Sequence, residues 1–168
     1  IHGNGAIDIK ASFKTGTDFN LPRLALQTSL NPALDKITWF GRGPIENYQD
    51  RKNAAYVGLY STTVEDMREY YARCDSRWLT LTNNYGKGIK ITPEGTIDFS
   101  AQHYTDRELW QVKYAHDLGN IRRSEVVLNL DCVQRGLGNA SCGPGPRPKY
   151  EIKKDSVYTY AFRIEEVK

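Results

Sequence analysis

The densest run of chemically capable side chains is Trp39-Phe40-Gly41-Arg42-Gly43-Pro44-Ile45-Glu46-Asn47-Tyr48-Gln49-Asp50-Arg51. A strand ends at Phe40, a glycine-rich turn follows, and Glu46, Asn47, Tyr48, Asp50 and Arg51 then arrive close together. Carboxylate, amide and guanidinium groups at this spacing can hold sugar hydroxyls through paired hydrogen bonds. Alternatively, Glu46, Asp50 and Arg51 satisfy one another and the nearby backbone in an ordered loop. The Gly41-Arg42-Gly43-Pro44 turn is not a phosphate cradle, because no Gly-Lys-Ser/Thr follows and no dinucleotide fingerprint is present.

Other chemistry is sparser. His103 could act as a general base, since imidazole titrates near neutrality; a hydrogen-bonded structural role is the alternative. His116-Asp117 could pair a base with its orienting acid, but neighbours on a strand face opposite sides. Glycoside hydrolysis needs two carboxyl groups roughly 5 to 10 Å apart. Glu46, Asp50, Asp98, Glu125 and Asp131 are available, with nothing in their spacing to select a pair. No serine elbow, zinc motif or Cys–His pairing is present. Cys74, Cys132 and Cys142 lack metal-ligand spacing and read as reduced thiols. Asn139-Ala140-Ser141 matches a glycosylation sequon, although three-residue matches arise by chance.

The elements that must position these groups are strands. Ile7, Ile9, Ala11 and Phe13 alternate with Asp8, Lys10 and Ser12, and Tyr158, Tyr160, Phe162 and Ile164 alternate likewise near the other end. Shorter candidates are Leu24–Leu30, Lys36–Phe40, Trp78–Thr82, Gly88–Thr92, Thr96–Ala101 and Glu125–Asp131. Asn83-Asn84-Tyr85-Gly86 and Thr92-Pro93-Glu94-Gly95 both read as hairpin connections. The class is all-β, a sandwich or barrel, with one short helix. Thr105-Asp106-Arg107-Glu108 has capping-box spacing, from which Leu109, Val112 and Lys113 continue for two to three turns. Gly136–Pro148 holds four Gly and three Pro, which forbids regular structure and predicts a long shaped loop.

Composition narrows the classes. The sequence has 168 residues, 39% hydrophobic and 26% charged, with no apolar run near the ~20 residues of a bilayer span. Neither a membrane nor a nucleic-acid partner is expected, because the 23 basic and 20 acidic residues are dispersed and leave only +3. Eleven Tyr, three Trp and five Phe suit strands, and such rings, where exposed, also contact sugars. The sequence starts at Ile1 with its sole Met at position 67, which suggests a processed, trimmed or excised piece.

Taken together, several segments resemble the C-terminal, small-chain domain of family 2 glycoside hydrolases of the β-galactosidase type. Leu21-Pro22-Arg23-Leu24-Ala25-Leu26 looks like that domain's opening strand, and Trp39–Pro44 through Glu46–Arg51 is similar to its most recognisable signature. Phe99-Ser100-Ala101-Gln102-His103-Tyr104, His116-Asp117-Leu118 and Val127-Leu128-Asn129-Leu130-Asp131 follow in the family's order. Gln134-Arg135-Gly136-Leu137-Gly138 and Ser141-Cys142-Gly143-Pro144 complete it.

The resemblance implies an antiparallel β-supersandwich like that of galactose mutarotase. It implies that residues 1–168 form a single domain, the latter part of the family's C-terminal supersandwich, without the (β/α)₈ barrel that carries both catalytic Glu residues. The parent reaction would be retaining hydrolysis of terminal β-D-galactosides, and this chain alone would be inactive. Its expected partners are the remaining domains of the parent, galactoside sugars and, through the parent, an oligomer. No cofactor is expected in this chain; Mg or Na ions would belong to other domains. The expected compartment is a bacterial cytoplasm or periplasm.

In the family, the loop matching Gly138–Pro144 reaches toward the active site and can present a Trp to the sugar; Cys142 stands at that position here. By resemblance, Cys142, Asn139, Ser141 and His103 face the substrate, while Trp39, Gly41, Gly43, Pro44, Glu46, Asn47, Tyr48, Asp50 and Arg51 form a structural motif. One departure is a missing Pro-Gln-Glu-Asn-Gly loop, since Tyr70-Tyr71 runs almost directly into Arg73-Cys74-Asp75-Ser76-Arg77-Trp78. A free carbohydrate-binding module, using Glu46–Arg51, is a second reading. An aldose-epimerase-like enzyme, requiring His103 with a facing Glu, is a third.

Overall fold

A computed structural model describes residues 1–17, 20–67, 72–139 and 142–168. The strands are β1 (Ile7–Lys14), β2 (Arg23–Leu30), β3 (Lys36–Gly43), β4 (Tyr56–Thr63), β5 (Arg73–Ser76), β6 (Trp78–Thr82), β7 (Gly88–Pro93), β8 (Ile97–Gln102), β9 (Val126–Gln134) and β10 (Val157–Val167). They form two sheets, ordered β1-β10-β7-β6-β3-β4 and β2-β9-β8-β5, in which every pairing is antiparallel. The all-β sandwich expected from the period-two pattern is present.

The core lies between the sheets. Ile37, Trp39, Leu79, Leu81, Ile91 and Phe162 project from the larger sheet against Ile97, Phe99, Ala101, Val126, Leu128 and Leu130 of the smaller. Burying each large aliphatic side chain contributes roughly 1.5–3 kcal/mol. Trp39 sits at the centre, with its ring edge-on to Phe99 at 5.9 Å and tilted over Tyr60 at 5.5 Å. Its indole N–H donates to the Arg42 carbonyl at 2.9 Å, which satisfies the one polar atom it would otherwise bury bare. Tyr160 ties the sheets together at their edge: its hydroxyl donates to Leu130 O at 2.9 Å and accepts from Leu26 N at 3.2 Å.

Asn83–Gly86 closes the β6–β7 hairpin, as its turn chemistry predicts; Asn83 Oδ1 accepts from the backbone N–H groups of Tyr85 and Lys87. The second expected hairpin is a correction. Thr92–Gly95 does turn, with Gly95 at φ +89°, but β7 belongs to one sheet and β8 to the other. The turn is a crossover between layers, because β7 is already paired on both sides by β6 and β10.

The capping box forms as expected. Thr105 Oγ1 accepts from Glu108 N, and Glu108 Oε2 accepts from Thr105 N at 2.8 Å, opening α1 (Asp106–Gln111). The helix is shorter than predicted, since Val112 is already extended and caps it. A one-turn α2 (Leu118–Ile121) follows. His116-Asp117 lies in a 3-10 turn rather than on a strand, so the two side chains do meet, at 3.5 Å. Tyr70 and Tyr71 lie outside the described residues.

Candidate functional site

Strand periodicity leaves β8 and β9 with an unusual second face. Ile97, Phe99 and Ala101 fill the core, so Asp98, Ser100 and Gln102 point the other way, yet all six are buried. Register sets Asp98 opposite Asp131 and Ser100 opposite Asn129. Two buried carboxylates facing one another require counter-charge, and β2 supplies it. The Arg23 guanidinium grips Asp131 with two bonds of 2.7 Å and reaches both oxygens of Asp106 on α1 at 2.9 and 3.1 Å. Burial pushes the Asp131 carboxyl up to about 6, and the Arg23 guanidinium pulls against that rise. Asn129 donates to Ser100 and accepts from Gln27, which completes a polar ladder over this face.

The segment after β3 lies across that ladder. Gly41 is required by close approach, because a Cβ there would sit 2.8 Å from the Ser76 Cα. At Gly43 a Cβ would meet the rings of Tyr60 and Trp39 at 2.7 and 2.9 Å; Pro44 follows through a cis peptide. Asn47, 1% exposed, bonds β5: its Oδ1 accepts from Cys74 N at 2.8 Å, and its amide donates to Ile45 O. Tyr48 is buried beside it, and its hydroxyl is pushed well above the ordinary range, chiefly by burial. Gln49 donates to Asp98 at 2.8 Å, while Lys52 and Arg42 clamp Asp75 at 2.9 and 2.6 Å. Burial raises the Asp75 carboxyl, and these two cations outweigh it, leaving it below the usual range. Glu46 is exposed.

Asp50 and Arg51 hold the glycine-rich loop. Asp50 Oδ1 accepts from Leu137 N at 3.1 Å and Oδ2 from Gly138 N at 2.7 Å, while Arg51 donates to the Gly138 carbonyl. Only glycine fits at 136, where a Cβ would lie 2.7 Å from the Asp50 carboxyl carbon. Gly138 has φ +59° and packs its α-carbon on the Gly145–Pro146 peptide, leaving 2.5 Å for any added Cβ. Asn139 N donates to Pro144 O at 3.0 Å, so the neck of the loop is pinched like that of an Ω-loop. Asn139 and residues 142–145 project exposed beyond this neck, with Cys142 donating its N–H to Asn139 O at 2.9 Å. Ser141 lies outside the described residues.

His103 is 7% exposed, and its Nδ1 donates to the Glu125 carbonyl at 3.0 Å. It lines a cavity of about 440 Å³ shared with Glu65, His116 and Arg122. Glu65 there is bound to Arg122 at 3.0 Å. Of the carboxylates open to pairing from sequence, Asp98 and Asp131 are buried in the ladder, Asp50 is committed to the loop, and Glu46 and Glu125 are exposed. Among the described residues, no three or more His, Cys, Asp or Glu side chains are placed to hold a metal. Sequence reasoning missed Arg23, Gln102, Gln134 and the ladder role of Asp98 and Asp131. The signal was there: polar residues at every second position of β8, and Asn129 and Asp131 two apart on β9, on strands whose other face is largely apolar.

A family model described as beta galactosidase small chain matches residues 1–164. A beta-galactosidase of Priestia megaterium (strain DSM 319 / IMG 1521) is 29% identical over 98% of this chain and 17% of its own length. Those of Arthrobacter sp. (strain B7) and Vibrio cholerae serotype O1 are 30% and 32% identical over 89% and 82% of this chain. This chain spans 16% and 13% of those two relatives, so it covers less than a fifth of the length of each of the three.

Proposed function

The chain belongs to the beta galactosidase small chain family, and from that premise we propose that it is a non-catalytic domain of a larger β-galactosidase-type retaining glycoside hydrolase. It forms the latter part of a C-terminal supersandwich and shapes the active site that a separate barrel carries. The observation that carries this reading is the loop from Gly136 to Gly145, gripped at its base by Asp50 and Arg51 and projecting an exposed tip. A neck pinched in this way presents the exposed residues beside it without a strand or helix beneath them, as a wall for a site on another domain must. Retaining hydrolysis of terminal β-D-galactosides needs a Glu pair about 5–5.5 Å apart across an open cleft. The buried carboxylates here are consumed by Arg23, Gln49 and backbone N–H groups.

Cys142 at the tip offers a small thiol instead of an aromatic face, which weakens stacking against an aglycone. The test is an o-nitrophenyl β-D-galactoside assay on the purified chain, then on the chain combined with the remainder of its parent. No turnover alone, turnover in combination, and a lower kcat/KM with Asp50→Ala in the combined form are expected. Turnover that scales with the isolated chain refutes the proposal.

A further inference from the structure

A second cavity, of about 450 Å³, opens where the ladder meets α1 and the base of the loop. Pro22, Tyr48 and Leu137 give it apolar walls, Trp110 stands at its rim, and Asp106, Gln134 and Arg135 supply polar atoms. Its size lies within the usual range for small-molecule sites, roughly 300–1,000 Å³.

Two features are unexplained by the fold. Trp110 is 86% exposed, although α1 buries Leu109 beside it. Gln134 Oε1 and Arg135 Nε are buried and have no hydrogen-bond partner among the described residues; Gln102 Oε1, on the floor between this cavity and the one at His103, is in the same state. Gln134 is 8% exposed and Gln102 2%. Buried polar atoms are nearly always paired, so orphans that line a cavity mark groups a ligand can satisfy. The Gln134 amide group is fixed by donation to Asp131 at 3.2 Å, which holds its oxygen in place.

The mixture of orphans identifies the chemistry. Gln102 and Gln134 offer acceptors and want donors, whereas Arg135 offers a donor. A cation would satisfy only the acceptors and an anion only the donor. A hydroxyl both donates and accepts, and a ring bearing several hydroxyls with an apolar C–H face suits an indole rim. Arg23 is already committed to Asp131 and Asp106, so it adds no net pull for an anion. We propose that this cavity, with Trp110 as platform and Gln134, Gln102 and Arg135 as hydrogen-bonding groups, binds a saccharide ring on this domain itself. The site is separate from the Cys142 loop tip, and it does not depend on the chain's role in a catalytic assembly.

The test is titration of the purified 168-residue chain with methyl β-D-galactopyranoside, lactose and glucose, followed by tryptophan emission and by amide shifts. Sodium sulfate and putrescine serve as anion and cation probes. Saturable binding of a sugar is expected, with a blue shift of the Trp110 emission. Trp110→Ala and Gln134→Leu should each weaken binding roughly tenfold, while Tyr85→Ala, at a distant exposed turn, leaves it unchanged. Trp110→Ala removes an exposed ring, so it stays folded and keeps the test decisive if Gln134→Leu does not. Tighter binding of sulfate or putrescine, no saturation with any sugar, or sugar binding indifferent to Trp110→Ala overturns the proposal. The galactoside assay on the combined enzyme reads a different property, so either idea can fail alone.

Discussion

Removal of the Asp50 carboxylate should release the glycine-rich loop while leaving the sandwich intact. Asp50 accepts from two consecutive backbone N–H groups, those of Leu137 at 3.1 Å and Gly138 at 2.7 Å. A hydrogen bond to a charged group contributes about 1.5–3 kcal/mol net. Leu137 and Gly138 are both partly exposed, so water can reoccupy their N–H groups and the sum falls near the lower limit. Asp50→Ala should therefore cost the closed loop about 3 kcal/mol, which raises its open fraction about a hundredfold. Native-state hydrogen exchange reads this directly: the Leu137 and Gly138 amides should lose about two decades of protection, while core amides such as those of Phe99 and Leu128 change little. Asp50→Asn keeps one acceptor oxygen and replaces the other with an NH₂ that cannot accept. It should lie between the two, near a tenfold loss. Unchanged exchange at Leu137 and Gly138 in a folded Asp50→Ala chain would refute the claim that this carboxylate sets the loop.

The remaining predictions concern the scaffold. Trp39→Ala empties the centre of the core, where the ring is 1% exposed, and should cost about 3–5 kcal/mol by urea unfolding. Asp131→Ala leaves the Arg23 guanidinium, only 18% exposed, facing a buried polar ladder, and should cost about 3 kcal/mol. Asp131→Asn should recover part of that in the same chemical denaturation series. The Glu108 carboxyl is held down to about 2, first by Arg123 and then by the Thr105 cap, against 4.5 unperturbed. Because it is depressed in the folded state, its stabilisation is complete above pH 4.5 and lost as pH falls through about 2. Glu108→Gln should flatten that part of the acid unfolding curve, and a Glu108 side-chain titration midpoint near 4.5 would contradict the assignment.

Reading the fold from sequence worked where local rules and burial agree. Alternation in β1 and β10 survives because each strand has one face on the core and one in water, so its pattern is a property of the chain alone. The capping box worked for the same reason: Thr105 and Glu108 satisfy each other within one turn. β4 escaped notice because Gly58 points toward the Trp39–Tyr60 side while Leu59, 65% exposed, faces out, which inverts the usual pattern at a sheet edge. β5 is four residues long, polar, and interrupted by Asp75 at φ 54°, so it has no periodicity to read.

The sequence by itself determined the strand class, the helix start, the irregular glycine-rich loop and the family. The first three rest on residues near one another in the chain, whose preferences are local, and the family rests on short motifs that follow in order along it. Only the tertiary structure decided what the polar residues do. Asp50 meets Gly138 across 88 positions, Arg23 meets Asp131 across 108, and the Gln134 oxygen is left unpaired at the wall of a cavity. Whether a carboxylate grips a loop, closes a buried ion pair or faces solvent depends on partners that long-range sheet pairing brings to it.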